Sequence, residues 1–154
     1  ERGETIATAE SCTGGKLSSW LTSISGSSAY YKEGVIVYSN EAKKKYCNVS
    51  LEVLAKQGAV CKHVAMDLAV GILKNAQSSW GIGITGIAGP TGGSLEKPVG
   101  TVHIAIYGHD HFYHKHCIFH GTRDQITDQA TAQALFMLYK VIENPKARIR
   151  GLTF

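Results

Sequence analysis

Three short segments of this chain carry hydroxyls, an amine and clustered glycines where a strand should give way to a helix or turn. They are Thr8-Ala-Glu-Ser-Cys-Thr-Gly-Gly15, Tyr38-Ser-Asn-Glu-Ala-Lys43 and Thr85-Gly-Ile-Ala-Gly-Pro-Thr-Gly-Gly93. Each follows a short apolar run that reads as a buried strand. In open α/β sheets ligands bind beyond the carboxyl ends of the strands. Three such loops would therefore meet in one site offering a hydroxyl, an amine and a backbone cradle the size of a phosphate. That set points to an enzyme acting on a small phosphorylated molecule.

Ser11 stands just past the first strand, ahead of the Gly14-Gly15 pair that opens a helix. Free N–H groups at a helix N-terminus stabilise an oxyanion, which makes Ser11 a candidate nucleophile. The alternative is that Ser11 and Thr13 only cap the helix. Lys43 falls in the first turn of the next helix if Asn40 caps it. The positive end of that helix and the adjacent Lys44 and Lys45 disfavour a charged amine. A free lysine has a pKa of about 10.4; lowered, it could take the serine proton, as in serine–lysine variants of the catalytic triad. The alternative is a solvated lysine in a lysine run. Tyr38, closing the preceding strand, either hydrogen-bonds one of these groups or simply packs.

Gly86, Gly89, Gly92 and Gly93 free the backbone of the third loop, so that successive N–H groups can form an anion nest. The spacing is neither a Rossmann nor a Walker pattern. His109, His111, His114, His116 and His120 gather near Cys117, and on a strand His114, His116 and His120 would share one face. The spacing fits no strong metal pattern, and the cluster reads as an exposed hairpin before a metal site.

The elements that must position these groups follow from periodicity. Thr5–Ala9 reads as the first strand, and Gly14–Ile24 as a helix burying Leu17, Trp20, Leu21 and Ile24. Gly34–Tyr38 reads as a second strand and Asn40–Tyr46 as a helix capped by Asn40. Leu51–Gln57 is a short helix capped by Ser50, and Lys62–Gln77 a longer one with Val64, Leu68, Gly71 and Ile72 on one side. Trp80–Thr85 is a third strand. Thr101–Tyr107 and Phe112–Phe119 flank a compact turn as an antiparallel hairpin. The last helix runs over Arg123–Ile142 and is stopped by Pro145; a basic tail, 146–154, follows. The prediction is a three-layer α/β/α sandwich on a mixed sheet that ends in an antiparallel hairpin.

The 154 residues fit one domain, and 44% hydrophobic content supplies a core. The first strand is reached within five residues, so a helix ahead of residue 1 is expected to cover it. Sixteen basic against twelve acidic residues give +4, without the basic runs and interleaved aromatics of a nucleic-acid binder. Cys12, Cys47, Cys61 and Cys117 have no C-x-x-C spacing. No signal peptide or membrane-length apolar run is visible, so a cytoplasmic protein with no membrane partner is expected.

Taken together, Thr-Ala-Glu-Ser-Cys-Thr-Gly-Gly, Gly-Ser-Ser, Tyr-Ser-Asn-Glu-Ala-Lys, Gly-Ala-Val and the run from Thr85 to Val102 resemble the CinA C-terminal domain, in order and over nearly the whole chain. Active members of that family hydrolyse nicotinamide mononucleotide to nicotinic acid mononucleotide and ammonia. The resemblance implies Ser11 as nucleophile, Lys43 as its base and Tyr38 as a positioning or relay group. It implies N–H groups near Thr13 and Gly14 as the oxyanion site, with Gly15 and Asn40 beside the substrate. Thr85, Gly86, Gly89, Gly92, Gly93 and Arg123 would hold phosphate and ribose. No metal or organic cofactor is implied, and a homodimer or higher homo-oligomer is expected. Larger members carry an extra N-terminal domain; residues 1–154 read as a single domain without it.

Four positions depart from the family pattern. Gly121-Thr122-Arg123 replaces Gly-Asp-Arg, Thr127 replaces a second arginine, and Cys61-Lys62 replaces Ser-Glu. A family member that binds a nucleotide without hydrolysing it is therefore the rival reading.

Overall fold

The computed structural model describes residues 2–143. In chain order these form β1 (Ile6–Glu10), α1 (Lys16–Thr22), a 3-10 turn (Ser27–Ala29), β2 (Tyr31–Ile36), α2 (Asn40–Cys47), α3 (Leu51–Gln57), α4 (Lys62–Ala76), β3 (Trp80–Gly86), β4 (Thr101–Gly108), β5 (His111–Ile118) and α5 (Arg123–Glu143). The five strands make one mixed sheet in the order β2-β1-β3-β4-β5. β1 runs parallel to both β2 and β3, and β4 and β5 are added antiparallel.

That order sets where the loops after β1 and β3 part. The chain leaves β1 for β2 on one side and returns across β1 to β3 on the other. The loops after β1 and β3 therefore diverge at a topological switch point. Ser11 begins the first of these loops, and its N–H donates to the Ile84 carbonyl of β3 (3.0 Å).

Helices cover both faces. On one, Leu17 and Leu21 of α1 and Ile126, Ala130, Ala134, Met137, Leu138 and Val141 of α5 pack on Trp80, Ile82, Ile84, Val102, Ile104 and Ile106. On the other, α2 and α4 pack through Cys47, Val64, Leu68 and Ile72 on Ala7 and Ala9. This second face is built from small residues: Ala65 and Ala69 of α4 meet Ala105, and a Cβ at Gly83 would collide with the Ala65 carbonyl. The helix backbone thus lies directly on the sheet.

Most predicted elements stand within a residue or two. β2 starts three residues earlier than the apolar run suggested, because it is an edge strand whose side chains are largely exposed. α1 ends at Thr22, so Ile24 lies beyond it and is 64% exposed, while Trp20 points away from the core. Ser39, not Asn40, caps α2: its hydroxyl accepts from Ala42 N–H (3.1 Å). Met137 is buried in α5. β5 ends at Ile118, so His120 leaves the face that His114 and His116 share. Pro145 and the basic tail, 146–154, lie outside the described residues.

Adding a methyl at Gly83 would place it 2.7 Å from the Ala69 nitrogen and the Leu68 Cβ as well. Overpacking of this kind costs about 1–3 kcal/mol, more where backbone must move. Gly83→Ala is expected to lower the urea midpoint with an unchanged slope; an unchanged midpoint would show that α4 does not pin the sheet.

Candidate active site

The β1 loop is organised by Glu10, the last residue of the strand and fully buried. Its Oε2 accepts from Thr13 Oγ1 (2.6 Å), Gly15 N–H (3.2 Å) and Leu17 N–H (3.0 Å). Its Oε1 accepts from Ser18 N–H (2.8 Å) and Ser18 Oγ (2.6 Å). A carboxyl group set against a helix N-terminus takes up donors that the helix leaves unpaired and opposes its dipole favourably. The network continues through Ser18 Oγ to Thr8 Oγ1 (2.9 Å) and on to Tyr31 Oη (2.8 Å). Glu10 lies inside a motif legible in the sequence, yet no role was read for it. The available signal was an acid closing a buried, otherwise uncharged strand, six residues before a helix that has no acid in its first turn.

This arrangement leaves Ser11 as a buried residue whose hydroxyl makes no hydrogen bond among the described residues. Gly14 N–H, predicted as an oxyanion donor, is already given to the Ser11 carbonyl (3.1 Å). The Cys12 and Thr13 N–H groups donate to no oxygen among the described residues. Burial, followed by the nearby Glu10 charge, pushes the Cys12 thiol up to about 12. Cys12 is therefore a protonated thiol and no rival to Ser11 as nucleophile.

Lys43 is only 2% exposed despite its charge type. Its Nζ donates to the Val37 carbonyl (2.9 Å) and the Tyr38 carbonyl (3.3 Å). Burial lowers its pKa below the usual lysine value, against the smaller opposing pull of Cys12, Cys47 and Glu41. A neutral amine with both hydrogens committed to carbonyls has its lone pair left to accept a proton. Ser11 Oγ and Lys43 Nζ are not hydrogen-bonded to each other.

Arg123, opening α5, ties the other two loops together. One nitrogen donates to the Gly89 carbonyl (2.7 Å) and another to Tyr38 Oη (2.6 Å). Tyr38 is 59% exposed and meets neither Ser11 nor Lys43 through its hydroxyl. The glycine-rich arm folds on its own return: Ile87 N–H donates to Thr101 O (2.8 Å) and Gly100 N–H to Ile87 O (2.7 Å). The N–H groups of Gly89, Gly92 and Gly93 donate to nothing among the described residues. Thr85 is buried, with its hydroxyl on the Ala59 carbonyl (2.8 Å), and Thr13 spends its hydroxyl on Glu10, so both act on the scaffold through their side chains. Gly86 packs against Val102. Asn40 is exposed on the first turn of α2 and hydrogen-bonds none of these groups through its side chain. At a departure from the family pattern, Thr127 accepts from Lys16 Nζ (2.8 Å), which also pairs with Asp128 (2.7 Å).

Just past β1 stands a hydroxyl with no partner among the described residues, and a buried amine is held by the two carbonyls that follow the neighbouring strand β2. A model of the CinA C-terminal domain matches residues 1–142. The chain belongs to the CinA C-terminal domain family. It is 47% identical over 141 residues to the nicotinamide-nucleotide amidohydrolase PncC of Escherichia coli strain K12, covering 90% of this chain and 85% of that protein. It is also 47% identical over 137 residues to a CinA-like protein of Anaeromyxobacter dehalogenans strain 2CP-C, covering 89% of this chain and 34% of that protein. The chain spans about a third of the length of such CinA-like proteins. The structure of the competence/damage inducible protein CihA from Agrobacterium tumefaciens superposes with a TM-score of 0.88 at 39% identity, over 90% of this chain and 86% of that one. Among the described residues no helix is long and apolar enough to cross a membrane.

Glu10 is the residue on which this CinA-domain loop depends. Removing a buried acceptor strands its donors at about 1–3 kcal/mol each. Glu10→Ala is expected to cost about 3 kcal/mol or more in urea unfolding, and Glu10→Gln less. A loss within the error of surface substitutions would contradict the capping role.

Proposed function

We propose that this chain hydrolyses the carboxamide of nicotinamide mononucleotide, releasing ammonia and nicotinic acid mononucleotide. The observation that carries the reading is Lys43: a fully enclosed amine held by two backbone carbonyls at the same end of the sheet as a hydroxyl without a partner. The 47% identity to a nicotinamide-nucleotide amidohydrolase supports the substrate.

Ser11 Oγ attacks the carboxamide carbon as Lys43 accepts its proton. The oxyanion that forms is met by the Cys12 and Thr13 N–H groups. Lys43 passes the proton to the departing nitrogen, the C–N bond breaks, and an acyl group remains on Ser11. Water then attacks this ester with Lys43 again as base, restoring the serine and releasing the acid. Tyr38, held by Arg123, positions the substrate at the mouth. Arg123 and the free N–H groups of Gly89, Gly92 and Gly93 receive the phosphate and ribose, since a guanidinium and a backbone nest both suit a phosphate. A homo-oligomer and a cytoplasmic setting belong to the same proposal.

Ammonia release from nicotinamide mononucleotide tests it. Ser11→Ala and Lys43→Ala are each expected to lose at least about 10³-fold in kcat while remaining folded. Lys43→Arg is expected to be as inactive, because a guanidinium cannot serve as a base. A parent chain that binds the nucleotide without turnover would favour the rival reading of a nucleotide-binding member, to which Thr127, in place of an arginine, lends some weight.

The pH profile gives a second test. Below its pKa Lys43 is protonated and cannot act as a base, so kcat/KM should rise with pH and level off once the amine is neutral. Burial lowers that pKa, so the rise is expected to end below the 10.5 of an ordinary lysine. A rise that continues to the ordinary value would remove Lys43 from the base role.

A further inference from the structure

The loop of Ser11 and the helix of Arg123 are joined by a lysine to which the steps above give no part. Lys16 opens α1, directly after the Gly14-Gly15 pair. Its backbone is fixed in place. The N–H groups on either side of it, of Gly15 and Leu17, both donate to Glu10 Oε2 (3.2 and 3.0 Å). Its own N–H donates to the Thr13 carbonyl (3.0 Å). From there the side chain crosses to α5, where Nζ donates to Thr127 Oγ1 (2.8 Å) and to Asp128 Oδ1 (2.7 Å). The lysine side chain is 28% exposed, so most of it lies against protein.

Thr127 stands one helical turn after Arg123 on α5. Residues four apart on a helix are neighbours on one face, with Cβ atoms about 5–6 Å apart. Lys16 therefore brings its amine to the face of α5 that carries Arg123. Both cations keep donors in hand among the described residues. An ammonium has three N–H groups and Lys16 spends two. A guanidinium has five, and Arg123 spends one on the Gly89 carbonyl and one on Tyr38 Oη. Thr127 has no donor to offer, because its hydroxyl hydrogen goes to the Asp124 carbonyl (3.0 Å). At this point of the face the available donor is Lys16. A phosphate monoester carries a charge of about −1.5 to −2 and three acceptor oxygens, more than Arg123 neutralises alone.

Resting on the mononucleotide reading above, we propose that Lys16 is a specificity-determining residue for the phosphate. Its remaining N–H donates to one phosphate oxygen while Arg123 binds another. Thr127 holds the amine in position. Asp128 opposes it, since that carboxylate competes for the ammonium and repels an incoming anion. Glu10 does not compete, because its buried carboxyl is taken up by five donors.

The test is the KM for nicotinamide mononucleotide, beside the Kd for nicotinic acid mononucleotide, which calorimetry reads without turnover. Lys16→Met should raise both about tenfold or more, the worth of one hydrogen bond to a charged group. The loss should fall on KM and not on kcat. Inorganic phosphate should compete with the mononucleotide on the parent chain, and about tenfold more weakly on Lys16→Met. Lys16→Arg, which keeps the charge, should recover most of the affinity. Asp128→Asn should move KM the other way, to a lower value. That opposition separates the roles. Were Lys16 only a tie between α1 and α5, losing either end of the ion pair would have one consequence, a lower urea midpoint without a selective change in KM. Unchanged KM, Kd and phosphate competition in Lys16→Met would overturn the proposal. So would a loss confined to kcat, or Asp128→Asn acting as Lys16→Met does. With turnover intact in the parent, those results leave the amidohydrolase reading standing. A parent that neither binds nor hydrolyses the mononucleotide removes that reading and the role of Lys16 together.

Discussion

A buried carboxyl group pressed against the start of a helix holds this domain's working end together. Taking a carboxylate out of water costs several kcal/mol unless donors replace the lost hydration. Glu10 finds five: two hydroxyls and three backbone N–H groups. By engaging the N–H groups of Gly15, Leu17 and Ser18, Glu10 fixes where α1 begins. The Cys12 and Thr13 N–H groups donate to no oxygen among the described residues. The same carboxyl, through Ser18, Thr8 and Tyr31, ties the loop to β1 and to the edge strand β2.

Lys43 depends on a second constraint, the closeness of helix to sheet on the opposite face. α4 lies on Gly83 and the alanines of β1 and β4 with no room for a larger side chain. α2 in turn rests on α4 where Gly71 lets the Cys47 backbone approach. With both helices drawn in, the α2 amine has nowhere solvated to go. It finds the Val37 and Tyr38 carbonyls instead. A lysine on the same helix in a looser fold would be surface-bound, like Lys44 and Lys45 beside it. The altered pKa is thus a packing effect first. The neighbouring lysines, which suggested the same direction from the sequence, are not among its causes.

Much of the architecture was legible because its signals are short-ranged. Ser50 as a cap, the α4 stripe of Val64, Leu68 and Ile72, the apolar β3 and the compact hairpin turn all depend on residues within a few positions of one another. β2 was misplaced because an edge strand buries little and so carries no apolar pattern. The α2 cap moved by one because Ser39 and Asn40 are both good caps, and only the backbone course from β2 selects between them.

The sequence by itself determined the loops that carry chemistry, the order of strands and helices and, through its long motifs, the family. These properties are local in the chain, or are ordered patterns that survive without coordinates. Tertiary structure alone decided the partnerships. Arg123 reaches Tyr38 across 85 positions, Lys16 reaches Thr127 across 111, and His103 pairs with His114 and His116 while His120 is left outside. It also decided that Gly14 N–H is spent and that Cys12 stays protonated. Hydrogen-bond partners and burial depend on which distant segments are brought into contact, and strand order and helix packing fix that only when the whole chain has closed around its core.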